Sequence, residues 1–477
     1  MNTAKTIEKN IGLLLSSQVL TYIINFFYTM VTARYLGAKG FGILSFALVF
    51  TGIFNIFADL GIRKVVVRDM ARSSSSVGDY FKKIVVVKVI LVATIFFMIV
   101  FFINILEYPT ITKNIVYILG FSVVLGSISD LFFAVFQSQQ KIAYESFGQV
   151  LRISILMLGA LLAISMKRSV NFFAYFYLIS NTTILLYCCS IYILKYGIPN
   201  IQMDKYFLGI KVREAIPFGL IGIFEVIYHW ISTVMLSIMK GDTVVGWYNA
   251  AYRLFLVTLI IPSVFNITIF PVMSYYYISS QNSLKLICVK YFKYLTIIGM
   301  LIGMGITLFS DKIILLVFGK EYKPSIIALQ ILIWTSVLIY INSAFIRLFE
   351  SINRQVVITR ICGYAALINI IFNLALIPKY SYIGSSFAII ISELLITILV
   401  ILSASRTQYR IEYSVIISHL FKVFFSAIVF GLFAFYISKL IYFPIAIILA
   451  IVIYFALLYM VKAFDKRDLS IIKSILY

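Results

Sequence analysis

The sequence predicts an all-α polytopic membrane protein of about fourteen transmembrane helices, with two six-helix lobes related as parallel repeats and a C-terminal helix pair. Three observations predict it. Of 477 residues, 62% are hydrophobic and only 12% charged, and the mean hydropathy is +1.04. A soluble domain is nearer half apolar and a quarter charged, so this excess is more than a globular core hides, and lipid is the remaining solvent. Apolar runs of the roughly 20 residues that a bilayer-crossing helix needs recur along the whole chain. Lysine and arginine, the source of a formal net charge of +22, are dense in alternate connections and sparse in the others.

The first run, 11–32, follows Lys5, Glu8 and Lys9. It is long, lacks a small-x-small cleavage pattern and continues into TARYLG, so it reads as a retained span and not as a removed signal peptide. Runs at 41–61, 84–105, 114–136, 147–166 and 171–194 complete a group of six, and the longest connection follows at about 195–213. A second six occupy 214–239, 244–272, 289–309, 326–348, 358–377 and 383–404, and a last pair 415–438 and 441–462. No connection is large enough for a soluble domain. Pro217, Pro262 and Pro271 predict kinks or breaks in spans seven and eight, because a proline within a helix removes a backbone hydrogen bond. Cys188, Cys189, Cys288 and Cys362 lie in or beside spans without metal-ligand spacing and read as small hydrophobes.

With the N-terminus in the cytoplasm and the spans alternating, the cytoplasmic side holds more than twice as many Lys and Arg as the other. Its densest cluster is RKVVVRDMARSSSSVGDYFKK at 63–83. This positive-inside bias places both termini in the cytoplasm and accounts for the charge without a nucleic-acid partner. The same basic loops suit contact with anionic lipid heads.

Spans one and seven then start on the same side, which makes 1–205 and 206–410 candidate parallel copies and 411–477 an appended pair with a cytoplasmic tail. Two traces support a repeat. Gly42 and Ala47 in GILSFA fall 204 positions before Gly246 and Ala251 in GWYNAA. FQSQQK at 136–141 aligns with FESINR at 349–354, and each ends the fourth span of its half.

RYLGAKGFGILSFALVFTGIFNIFADLGI at 34–62, followed by VRDMAR, resembles the opening of oligosaccharide and O-antigen unit flippases of the multidrug/oligosaccharidyl-lipid/polysaccharide transporter superfamily. FGKEYKPSIIALQIL at 318–332, NIIFNLALIPKYSYIGSSFA at 369–388 and ISELL at 391–395 resemble the second half of that family. The similarity covers roughly 10–405 in order. It implies two six-helix lobes around a cavity that opens alternately to either side. The implied activity is translocation of a polyprenyl-pyrophosphate-linked oligosaccharide unit from the cytoplasmic to the outer leaflet of the inner (plasma) membrane, for O-antigen-type surface polysaccharide. Implied partners are that glycan carrier, membrane lipids and other polysaccharide-assembly proteins. The alternative is a cation-coupled multidrug or metabolite antiporter of the same superfamily. Many members have twelve spans, which leaves 415–462 without an assigned role.

Carrying a sugar and a pyrophosphate through hydrocarbon requires a hydrated passage and a cation, since buried polar groups and isolated charges lose their water. It requires no covalent chemistry. No phosphate-binding G-x-x-x-x-G-K-[ST] loop, H-E-x-x-H motif or external carboxylate pair occurs, so an enzyme, a metal site and a cofactor are not expected. Ionisable residues inside spans are the candidate site, because lipid-facing placements are costly. Arg253 lies about 13 Å inside its span at 1.5 Å per residue, and its guanidinium suits two-point phosphate contact or a structural ion pair. Glu225 and His229 in GIFEVIYHWIS, four residues apart, share one helix face. A proton moving between them would couple transport to a gradient, while a static helix–helix bond and direct substrate contact are the other readings. Glu393 sits mid-span, and Trp247 and Asn249 suit either sugar contact or an interfacial belt. Asp59, Asp130, Lys88 and His419 are expected at the cytoplasmic interface, with Lys88 reaching the headgroups.

Overall fold

The computed structural model of the chain describes residues 3–72, 77–198, 204–441 and 443–464. The segment 199–203 of the longest expected connection and the tail 465–477, expected in the cytoplasm, lie outside the described residues. Among those described, fourteen α-helices and a single 3-10 turn form, with no strand. They are α1 (Thr3–Asp59), α2 (Ile62–Arg72), α3 (Val77–Ile105), α4 (Thr110–Ser138), α5 (Ile142–Ser165), α6 (Val170–Tyr196) and α7 (Lys205–Lys240). The rest are α8 (Asp242–Thr258), α9 (Ile260–Ser279), α10 (Gln281–Val317), α11 (Ser325–Ser351), α12 (Gln355–Ser405), α13 (Tyr413–Ile437) and α14 (Phe443–Met460). Among the described residues, eleven stretches are long and apolar enough to cross a bilayer, and Ile445–Met460 is a shorter apolar one.

Helices and expected runs do not correspond one to one. At 1.5 Å per residue, the 57-residue α1 and 51-residue α12 are each about twice the ~30 Å of a hydrocarbon core or longer, and each holds two runs. α1 breaks at Gly37, whose φ of 66° lies in the left-handed region open to glycine. α12 breaks at Ser381, three residues after Pro378. Span eight divides at Leu259 into α8 and α9. Pro262 is the cause: it has no N–H to offer the carbonyl of Thr258. The Tyr340 hydroxyl of α11 donates to that freed carbonyl at 2.6 Å.

The basic stretch after span two is helical over 63–72 and from 77 onward, not a loop, and its residues 73–76 lie outside the described residues. In α2, Ile62, Val65, Val66 and Met70 recur at helical spacing and are buried with Phe81, Phe133 and Phe136 of α3 and α4. At 11 residues it is too short to span, and its apolar face needs another helix to cover it. Its polar side is tied down as well. Lys211 Nζ of α7 reaches Asp69 at 2.8 Å, Arg68 reaches Glu214 at 2.5 Å, and the Tyr80 hydroxyl of α3 donates to Asp69 at 3.0 Å.

The chain divides into two compact units, Met1–Asn249 and Ala250–Tyr477, which part within α8. In the first, α1 and α8 cross in backbone contact. A Cβ on Gly42 would collide with the carbonyl of Asp242, and a Cβ on Gly246 with the carbonyl of Ala38. In the second, Gly303 admits the Val337 side chain of α11 against α10. The last pair also packs on α10: Gly431 of α13 lies against Met304, and the Tyr454 hydroxyl of α14 donates to the Ile297 carbonyl at 2.8 Å. His419, expected at the interface, is buried there, with Nε2 3.2 Å from the Lys293 carbonyl.

Candidate functional site

The first unit concentrates ionic groups where α1 turns into α2. Lys88 of α3, expected at the headgroups, is instead 1% exposed. Its Nζ donates to the Ala58 carbonyl at 2.9 Å and lies 3.7 Å from Asp59, satisfying a charge that hydrocarbon would not tolerate alone. Asp59 also accepts from the Arg63 backbone N–H at 3.2 Å. The Arg63 side chain crosses to α5 and α4, donating to Glu145 at 2.6 Å and Gln137 at 3.2 Å. Arg152 of α5 lies 3.8 Å from Asp130 of α4. Five helices, α1 to α5, are thus tied by paired charges, and Asp59 and Asp130 serve these pairs.

α7 runs unbroken past Glu225 and His229. Glu225 is exposed and His229 half-buried, its ring edge-on to Tyr228 with centroids 5.1 Å apart. Asn249 has a different placement from that of a sugar contact. It is fully buried, donating to the Val245 carbonyl at 3.0 Å and to Thr233 at 3.3 Å, so its amide links α8 to α7. Trp247 is half-buried two residues earlier.

In the second unit Arg253 is partly buried on α8. Glu393 is 4% exposed and accepts from the Asn342 amide of α11 at 2.6 Å. Earlier in α12, Asn373 donates to the Asn369 carbonyl and side-chain oxygen at 2.8 and 2.9 Å and accepts from Ser385 at 2.7 Å. All three are buried. The available signal for this pair was asparagines four apart in NIIFN, within the segment that resembles the transporters. Arg152, Glu145 and Asn342 carried no pattern of their own. Among the described residues no cluster of three or more His, Cys, Asp or Glu could hold a metal ion.

Comparison with known proteins gives this architecture a family. The profile of the family described as "Polysaccharide biosynthesis protein" matches residues 7–277, more than half of the chain. The chain is 23% identical over 370 residues to "Probable low-salt glycan biosynthesis flippase Agl15" of Haloferax volcanii, covering 77% of each. Its fold superposes on a lipid II flippase, MurJ, in an inward closed conformation, with a TM-score of 0.78 and 14% identity, over 96% of this chain and 99% of that one. An inward-facing multidrug resistance transporter of the MATE family gives a TM-score of 0.66 at 14% identity, over 80% and 93%. With its profile match and its helical membrane fold, this chain belongs to the polysaccharide biosynthesis protein family.

Proposed function

We propose that the chain is a flippase that carries a polyprenyl-pyrophosphate-linked oligosaccharide from the cytoplasmic to the outer leaflet by alternating access. The observation that carries this reading is the family match on a chain built of membrane-spanning helices. The orientation, with both termini in the cytoplasm of an inner or plasma membrane, rests on the charge bias of the loops.

The two-lobe division at 1–205 and 206–410 has two supports. The α1–α8 crossing is reciprocal under an offset of 204: Gly42 meets Asp242 while Gly246 meets Ala38. The aligned hexapeptides also end their helices alike, with Lys141 N–H donating to Phe136 O at 2.9 Å and Arg354 N–H to Phe349 O at 2.8 Å, after Gln140 and Asn353 at positive φ. The same cap closes α5, so the matching sequences, more than the cap, support the repeat.

Arg253 is the phosphate contact in this reading, and exposed Glu225 with His229 the coupling pair. Trp247 offers an aromatic face to sugar. Glu393 acts through its bond to Asn342, and Asn249 by holding α8 to α7. Deleting the gene should trap lipid-linked repeat units on the cytoplasmic face and remove the matching surface glycan. Unaltered surface glycan refutes the assignment. The second reading, a cation-coupled antiporter, draws on the fold likeness to a multidrug transporter. A changed drug susceptibility with intact glycan would select it.

A further inference from the structure

α1 and α5 border an open-sided hollow of about 220 Å3 whose wall mixes six polar side chains with Leu14 and Tyr22, more polar groups than a lipid-facing surface ordinarily carries. Ser17, Gln18 and Thr21 of α1 and Glu145, Ser146 and Gln149 of α5 line it. On each helix these are positions i, i+1 and i+4, one face apiece. The two faces present hydroxyls, amides and one carboxylate.

Two features say what the hollow would take. The Thr21 and Ser146 hydroxyl oxygens are shut off from solvent and have no hydrogen-bond partner in the chain, and Ser146 is 4% exposed. A buried polar group left this way is destabilising, so both are better served by a ligand that supplies donors and acceptors. The charge of Glu145 is offset by Arg63 at 2.6 Å, leaving a neutral lining that suits uncharged hydroxyls over phosphate or a free cation. At ~30 Å3 per water, the volume equals about seven waters, near that of one sugar ring with its hydroxyls.

On the other side of the same α1–α5 contact lies an apolar groove of about 340 Å3. Leu13, Leu20, Phe147 and Val150 line it, and it shares Ser17 and Ser146 with the polar hollow. A polar and an apolar hollow that meet at two serines form a cleft for an amphiphile.

We propose that the α1–α5 cleft is a glycolipid subsite: a sugar of the carried unit occupies the polar hollow and the first isoprenes of its carrier the apolar groove. This rests on the flippase reading, and it places the subsite at the cytoplasmic, loading end of both helices. The unpartnered hydroxyls contribute nothing to folding that a methyl would not, so Thr21→Val with Ser146→Ala should leave the protein folded and weaken only ligand contact.

The test is photo-cross-linking in living cells with a benzophenone amino acid at Gln18, at Gln149 and, as a lipid-facing control, at Phe97, which is 72% exposed. Trapped lipids are read by mass. Polyprenyl-linked glycan is expected at Gln18 and Gln149 and phospholipid alone at Phe97. In the Thr21→Val, Ser146→Ala background the glycan adduct should fall about tenfold at unchanged protein level. Phospholipid alone at Gln18 and Gln149, or glycan adducts that ignore the double substitution, overturns the subsite. If deletion of the gene abolishes surface glycan while these positions trap only phospholipid, the subsite alone falls. If deletion leaves the glycan intact, the flippase reading falls first.

Discussion

Lys88 shows how a single charge is kept inside this protein. Its ammonium is bonded to the Ala58 carbonyl, with Asp59 at 3.7 Å, whereas the Asp59 side chain is 39% exposed and has the Arg63 N–H as a second partner. The two ends of the pair therefore differ in what they lose. Lys88→Met leaves a partly hydrated carboxylate and should cost about 1–2 kcal/mol. Asp59→Asn leaves a buried ammonium with one carbonyl and should cost more, about 2–4 kcal/mol. Thermal unfolding in detergent measures both, and an equal or reversed order would refute the account. Asp204 behaves differently at the start of α7, where it accepts from the Phe207 N–H at 3.0 Å and from Lys83 Nζ at 2.8 Å. Its carboxyl sits below its ordinary value, because the Lys83 ammonium and then the Phe207 N–H favour the ionised form over the opposing effect of burial. Since the folded value is the lower one, its contribution is complete above the unfolded value of about 3.9 and is lost as pH falls from there through the folded value. Hydrogen exchange in the first turn of α7 should thus show constant protection from pH 8 to 5 and a decline below about pH 4. Asp204→Ala should weaken that protection at neutral pH more than Asp204→Asn, which keeps a cap. Sequence reading singled out Glu225, His229, Arg253 and Glu393 as candidates because a charge in an apolar run is visible by itself. It misplaced Lys88, since snorkelling and burial look alike until the partner helix is known.

Among elements, the α8–α9 break shows a helix defect answered by a neighbour. Pro262 predicted the break, and the Tyr340 hydroxyl at 2.6 Å from the Thr258 carbonyl completes it. Tyr340→Phe should leave that carbonyl unmet and cost about 1–3 kcal/mol. Pro262→Ala restores an N–H for the same carbonyl, so in that background Tyr340→Phe should cost measurably less. A double-mutant cycle of melting temperatures decides it, and simple additivity would mean that the hydroxyl does not compensate the proline. α2 teaches the converse. Its charged sequence read as a loop because Arg and Lys dominated the window, yet the apolar spacing of Val65, Val66 and Met70 was sufficient for a helix once α3 and α4 supplied a surface. The appended pair, without a role in the sequence, covers α10 through Gly431, His419 and Tyr454.

For the molecule as a whole, the α1–α8 crossing is the contact with least room for change. Both backbones touch at Gly42 and Gly246, so Gly42→Val or Gly246→Val should separate the helices, and the loss of folded protein should show as aggregation in size-exclusion chromatography. Gly52 has nothing within 4 Å of an added Cβ, so Gly52→Ala should be tolerated and serves as control. A normal elution profile for both valine variants would refute the crossing. By itself the sequence determined that the chain lives in lipid, is built of helices, and belongs to the polysaccharide biosynthesis protein family. Those properties depend on hydrophobicity, charge and proline position summed along the chain, and such sums need no partner. Only the tertiary structure decided that Arg63 meets Glu145, that Lys88 is inside, and that α1 and α5 leave a polar hollow between them. Those depend on which faces of distant helices come together, and in hydrocarbon that choice follows shape and hydrogen bonding, which one-dimensional periodicity does not record.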